Sequence, residues 1–245
     1  VRAERTLGEI QKMQIAPDDL FERVVPEKPD RPDWLALQAR AHALLRDAGS
    51  ENFLTRLDRL HAELRESLQH HPDATLFALI HLAATELRMY SATHAMLVYA
   101  VCSLAAREVL RWPQELDDAL GRAALTMNIG MAALQDTLAM QAQPLTSEQI
   151  DAIEQHPQRS FTMLLQMGVT DENWLLAVRH HHDRAPGPLA DKPPPQRIAR
   201  LIQRADMFTS RLAPRVARTP MSTSAAMQGC YFDEQQQVDE AGAAL

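Results

Sequence analysis

Five side chains hold most of the chemistry this chain can offer: His94, His156, His181, His182 and Asp206. Each falls at a helical position facing the expected core, or at a helix end. A single histidine on an apolar face is ordinarily a satisfied core residue. A set is different, because imidazole and carboxylate are the side chains that hold divalent transition metals. Adjacent His181 and His182 sit at a helix end, where the backbone leaves helical geometry and both rings can turn to one ion. Downstream, Arg211, Arg215 and Arg218 follow Asp206 at i+4 and i+3 spacing. They share a helix face if the helix runs past Pro214. Guanidinium forks suit phosphate oxygens; a solvated basic face is the alternative reading.

The elements that must position these groups read as helices. Glycine is scarce, at 8 of 245 residues, and apolar residues recur with a 3.6 period, which predicts an all-α fold. Residues 1–33, with Pro26, Pro29 and Pro32, read as a linker or loosely packed arm. Trp34 to Arg46 reads as a helix ended by Gly49. Phe53, Leu57, Leu60, Leu64 and Leu68 form a narrow apolar seam on the next helix. That seam predicts packing on a neighbour or, more sharply, a homodimer helix. Pro72 and Asp73 then divide the chain into an N-terminal helical and linker region, 1–73, and a main domain, 74–245.

In the main domain, Phe77 to Leu110 reads as one central helix, apolar on most of its circumference. Its stretch Met89 to Ala106 lacks Asp, Glu, Lys and Arg, but Ser91, Thr93, His94 and Ser103 favour a protein core over a membrane span. Glu115 to Met127 forms a further helix, ended by Gly130. Thr146 with Gln149 predicts a capping box opening the helix of Ile150, Ile153 and His156, which Pro157 is expected to disturb. Asp171 caps the helix that runs to His180, His181 and His182. The last clear helix carries Ile198, Leu201, Ile202 and Ala205 inward, with Asp206 beside them.

The formal net charge of −7 makes the chain a poor binder of DNA or an anionic membrane surface, since both require clustered Lys and Arg. It leaves room for one small basic pocket. Cys102 and Cys230 form no ligand pattern and suit a reducing cytoplasm. The chain starts at Val1 and stops in Ala-rich sequence, so it reads as a piece of a longer protein, truncated at its C-terminus.

In order, the residues from His94 through Asp206 resemble the HD-GYP branch of the HD phosphohydrolases. That branch has a helix His, a His-Asp-Ile-Gly-Lys motif, a loop ending Pro-Leu-Thr, a His-Pro, a His-His-acid cluster and an Ala-Asp. Here these positions hold His94, Met127-Asn128-Ile129-Gly130-Met131, Pro144-Leu145-Thr146, His156-Pro157, His181-His182-Asp183 and Ala205-Asp206. The likeness extends over roughly residues 75–230. It implies a five-helix core around a metal site and, as the family's best-known activity, hydrolysis of cyclic di-GMP.

Carried over residue by residue, the resemblance implies one metal position reduced to His94 and Asp206. A second keeps His156, His181 and His182. Met127 and Asn128 stand in place of the His-Asp pair, and a neutral amide cannot bridge two cations as a carboxylate does. Met131 replaces the motif lysine, Tyr90 stands where some members carry a Glu for a third metal, and the Gly-Tyr-Pro loop is absent. Arg215 and Arg218 match the phosphate-contacting basic pair. The expectation is a degenerate signalling domain with zero or one divalent transition metal (Fe, Mn, Zn or Ni). It would bind a cyclic dinucleotide, another phosphorylated small molecule or a signalling protein. The alternative is an active phosphodiesterase using a single metal on three histidines.

Overall fold

A computed structural model describes residues 32–185 and 187–245. The proline-rich arm expected over 1–33 falls almost wholly outside them. The helices are α1 (Trp34–Arg46), α2 (Phe53–His70), α3 (Pro72–Thr85), α4 (Tyr90–Leu104), α5 (Gln114–Thr126), α6 (Ala132–Met140), α7 (Ser147–Gln166), α8 (Glu172–His180), α9 (Pro194–Leu212), α10 (Thr223–Tyr231) and α11 (Glu240–Ala243). Among the described residues there is no strand, only isolated bridges at Arg215–Arg218 and Phe232–Val238. The fold is all-α, as the periodicity predicts.

Helix α4 is the axle. All of its residues from Tyr90 to Ser103 are buried, and a π-helical turn, Ala105–Val109, prolongs it. A helix apolar all round belongs inside a protein as readily as in a membrane. No helix among the described residues is long and apolar enough to cross a membrane. The single helix expected from Phe77 to Leu110 is in fact two. Asp136 of α6 explains the break, because its Oδ1 accepts from Ser91 N at 2.8 Å and so caps the start of α4 from outside. The other oxygen of Asp136 meets His42 Nε2 of α1 at 3.0 Å.

The α2 seam is consumed within the chain. Phe53, Leu57, Leu60, Leu64 and Leu68 are all buried in the same apolar core as α4, α5 and α9. The homodimer helix loses its exposed face, and packing on neighbours is the reading that holds. The boundary expected at residue 73 does not divide this core, since residues 33–245 form one compact unit. Gln38 of α1 donates to Thr93 of α4 at 2.6 Å, and Arg65 of α2 reaches Asp118 of α5 at 2.8 Å. These ties make α1 and α2 part of the frame that holds α4.

At the far end, Asp239 accepts from Arg200 and Arg204 of α9 while capping α11 through Gly242 N. Two buried guanidiniums on one carboxylate fix the C-terminal segment against the helix that carries Asp206.

Candidate metal centre

His156 sits mid-way along α7, directly before Pro157. Proline was expected to disturb the helix, yet α7 runs unbroken from Ser147 to Gln166. The reason is local. Pro157 has no N–H, so the Ile153 carbonyl four residues back loses its helical donor. His156 Nδ1 supplies one instead, at 2.5 Å. This single bond repairs the helix and fixes the tautomer, because a carbonyl only accepts. The Nε2 lone pair must then point away from the helix.

His181 repeats the device at the end of α8. Its Nδ1 donates to the Val178 carbonyl at 2.6 Å, leaving Nε2 free. The two Nε2 atoms face each other at 3.0 Å. The His182 ring closes the group, its centroid 4.3 Å from that of His181 and 5.0 Å from that of His156. His156 and His181 are buried and His182 keeps an exposed edge. Burial drives the pKa of His156 down to about 4 and that of His181 to about 3. Desolvation lowers His182 too. Near neutral pH the facing nitrogens are therefore two bare lone pairs.

Three ties assemble the trio. Gly130 allows the Met127–Met131 segment to meet α7 one turn beyond His156. Its N–H donates to Ser160 Oγ at 3.0 Å, and a Cβ there would lie 2.9 Å from the Ser160 backbone nitrogen. Trp174 Nε1 of α8 donates to Thr126 Oγ1 at 2.8 Å, beside Met127. Gln203 of α9 donates to the His182 carbonyl at 3.3 Å.

The other two candidates pair with each other. His94 Nε2 donates to Asp206 Oδ1 at 2.7 Å across α4 and α9. Burial opposes the charge on Asp206, but the His94 bond and charge outweigh it and hold the carboxyl at about 2. Met127 is fully buried and Asn128 nearly so, at the junction of α5 with the short 3-10 turn Ile129–Met131.

Tyr90 stacks on His94, with centroids 5.4 Å apart and planes 10° from parallel. Its hydroxyl accepts from Arg215 Nη2 at 2.8 Å, and the Arg215 guanidinium also lies 4.9 Å from the ring centroid. In the sequence Tyr90 is only a departure from a Glu, and its contact with Arg215 is made by the fold. The helix-face expectation for Arg211, Arg215 and Arg218 is corrected: α9 ends at Leu212. Pro214 pushes Ala213 out of helical geometry, to ψ 132°. Arg215 and Arg218 then bond backbone to backbone in a turn, and the Arg218 side chain donates to the Ser210 carbonyl.

Comparison with known proteins agrees with this arrangement. The model of the family described as HD domain matches residues 75–242, more than half of the chain. A cyclic di-GMP phosphodiesterase of Pseudomonas aeruginosa, PA4108, is 29% identical over 136 residues, which is 54% of this chain and 32% of that protein. The chain thus spans about a third of that relative's length. No solved structure matches. HD domains are metal-dependent, and the trio of imidazoles is where this fold gathers ligands. With its ordered histidines, its all-helical frame and its family match in agreement, this chain belongs to the HD domain family.

Proposed function

We propose that this is a degenerate HD-GYP signalling domain that holds one divalent transition metal on His156, His181 and His182. It binds a cyclic dinucleotide and hydrolyses it weakly or not at all. The observation that carries this reading is the 3.0 Å approach of two Nε2 lone pairs. Their other ring nitrogens are committed to carbonyls, and burial keeps both rings neutral at pH 7. Such a pair repels unless a cation stands between the nitrogens and a third ligand completes it. His156, His181 and His182 would hold such an ion through neutral imidazole nitrogens gathered at one place, a donor set that fits a divalent transition metal.

A bound divalent ion would lower the pKa of a coordinated water and polarise a phosphoryl oxygen. The chain's own residues do the rest. Ile153 and Val178 carbonyls set the tautomers of His156 and His181. The His94–Asp206 hydrogen bond satisfies both partners without a metal, and Asn128 brings no charge to bridge two ions. A second cation therefore has neither a strong site nor a shared carboxylate. Arg215 and Arg218 provide cations for a phosphate, with Arg215 held by Tyr90.

The second reading is an active phosphodiesterase on this single metal, favoured by the open coordination positions that three imidazoles leave. The test is a cyclic di-GMP binding and hydrolysis assay with and without Mn²⁺ or Fe²⁺, beside a Met127→His/Asn128→Asp double variant. The proposal expects saturable binding and little turnover by the parent chain, with turnover rising in the double variant. Rapid turnover by the parent, abolished by His181→Ala, would favour the second reading. Absence of cyclic di-GMP binding would overturn both.

A further inference from the structure

The protein also contains a cavity of about 310 Å³ that none of the five candidate ligands lines. Its walls come from the end of α1 (Leu45, Arg46, Ala48), the segment 129–134 and one face of α7 (Ala152, Arg159, Met163). The volume lies at the lower end of the ligand-pocket range, about 300–1,000 Å³. Most of the lining is apolar, and the two charged side chains in it are both arginines. This is a notable bias in a chain of net charge −7. An adjoining cavity shares Ala48 and Met163 but contains Glu51, so a negative group is better placed in the first.

Both guanidiniums are available. Arg159 makes no hydrogen bond or ion pair among the described residues. Arg46 approaches Asp136 only at 3.9 Å, and Asp136 already accepts from Ser91 N at 2.8 Å and meets His42 at 3.0 Å. Beneath them Leu45, Ile129, Ala132 and Met163 offer a floor without hydrogen-bonding side chains. A site of this make-up favours a compact apolar body that ends in an anion. The apolar body loses its water on the floor, and the guanidiniums match two oxygens of the anion.

We propose that this cavity is a second ligand site, for a small organic anion with an aromatic or aliphatic body and a phosphate, sulfonate or carboxylate head held by Arg46 and Arg159. The inference is independent of what the metal centre does. The probe is naphthalene-1-sulfonate, titrated calorimetrically into the whole chain, with 1-naphthol as its uncharged counterpart. Arg159→Gln removes one cation from an exposed side chain, and Ala133→Trp fills the cavity from an exposed position, so neither disturbs the core.

The expected result is saturable 1:1 sulfonate binding, much weaker 1-naphthol binding, and about tenfold loss of sulfonate affinity in Arg159→Gln. Ala133→Trp should abolish binding, while His181→Ala should leave it unchanged. Sulfonate and naphthol binding alike would overturn the anion assignment. Undiminished binding by Ala133→Trp, loss in His181→Ala, or no saturable binding by the parent chain would overturn the site.

Discussion

Two clusters of metal-ligand side chains lie within one helical frame, and they answer opposite demands. At His94 and Asp206 a donor meets an acceptor at 2.7 Å, and the pair is content as it stands. At His156 and His181 two acceptors meet at 3.0 Å, each locked in that role by a backbone carbonyl. The first cluster ties α4 to α9 through its own hydrogen bond. The second keeps its lone pairs exposed to one another, an arrangement that a cation relieves. On the proposed single-metal reading, the lesson is that a site loses metal capacity without losing its ligand residues. What matters is whether the remaining donors satisfy each other.

The sharpest way to break this contrast is to remove one member of the trio. His181→Ala should weaken Zn²⁺ or Mn²⁺ binding by more than about 100-fold in equilibrium dialysis, whereas His94→Ala should change it less than about threefold. Equal losses would mean that the two clusters form one site. Next in size is Pro157→Ala. Restoring an N–H at position 157 returns the helical donor to the Ile153 carbonyl and releases His156 Nδ1. Metal affinity should fall about 10- to 100-fold while the metal-free protein gains up to about 3 kcal/mol in chemical denaturation. Opposite signs from one substitution would separate the ligand-orienting role from a merely structural one.

Acid separates the clusters by pH window. His156 and His181 stay neutral when folded down to about 4 and 3, whereas the unfolded chain takes up those protons near 6.5. The unfolded state therefore binds more protons, and metal-free stability should fall as pH drops from 6.5 towards 4. Asp206 works lower. Its folded value of about 2 lies below the ordinary 3.8, so its contribution is present above about pH 4 and is lost as pH falls towards 2. Asp206→Asn should remove on the order of 2 kcal/mol at pH 7 and flatten only the lower window in pH-dependent urea melts. The smallest effect is expected of Tyr90→Phe. It frees Arg215 at the loss of about 1 kcal/mol in a thermal melt and leaves metal binding unaltered.

The candidate ligands were legible because their residue types are rare on buried helix faces and their order along the chain follows a family pattern. Helix identity was legible for the same periodic reason, and both the Thr146 capping box and the Asp171 cap stand as read. The break before Tyr90 was not, because its cap comes from Asp136, forty-five residues away. The Arg215–Tyr90 contact was hidden likewise by a separation of 125 residues. The turn that carries Arg215 could have been foreseen, since Pro214 disfavours helix at the residue before it. So could the role of Pro157: a proline directly after a histidine frees the carbonyl that the imidazole can reach.

The most direct test is the metal content of the purified chain after loading with Mn²⁺, Fe²⁺, Zn²⁺ or Ni²⁺ and exhaustive dialysis, measured by plasma mass spectrometry. The account predicts one ion per chain, retained in His94→Ala and lost in His181→Ala. No bound ion, or two ions per chain in the unaltered protein, would contradict it.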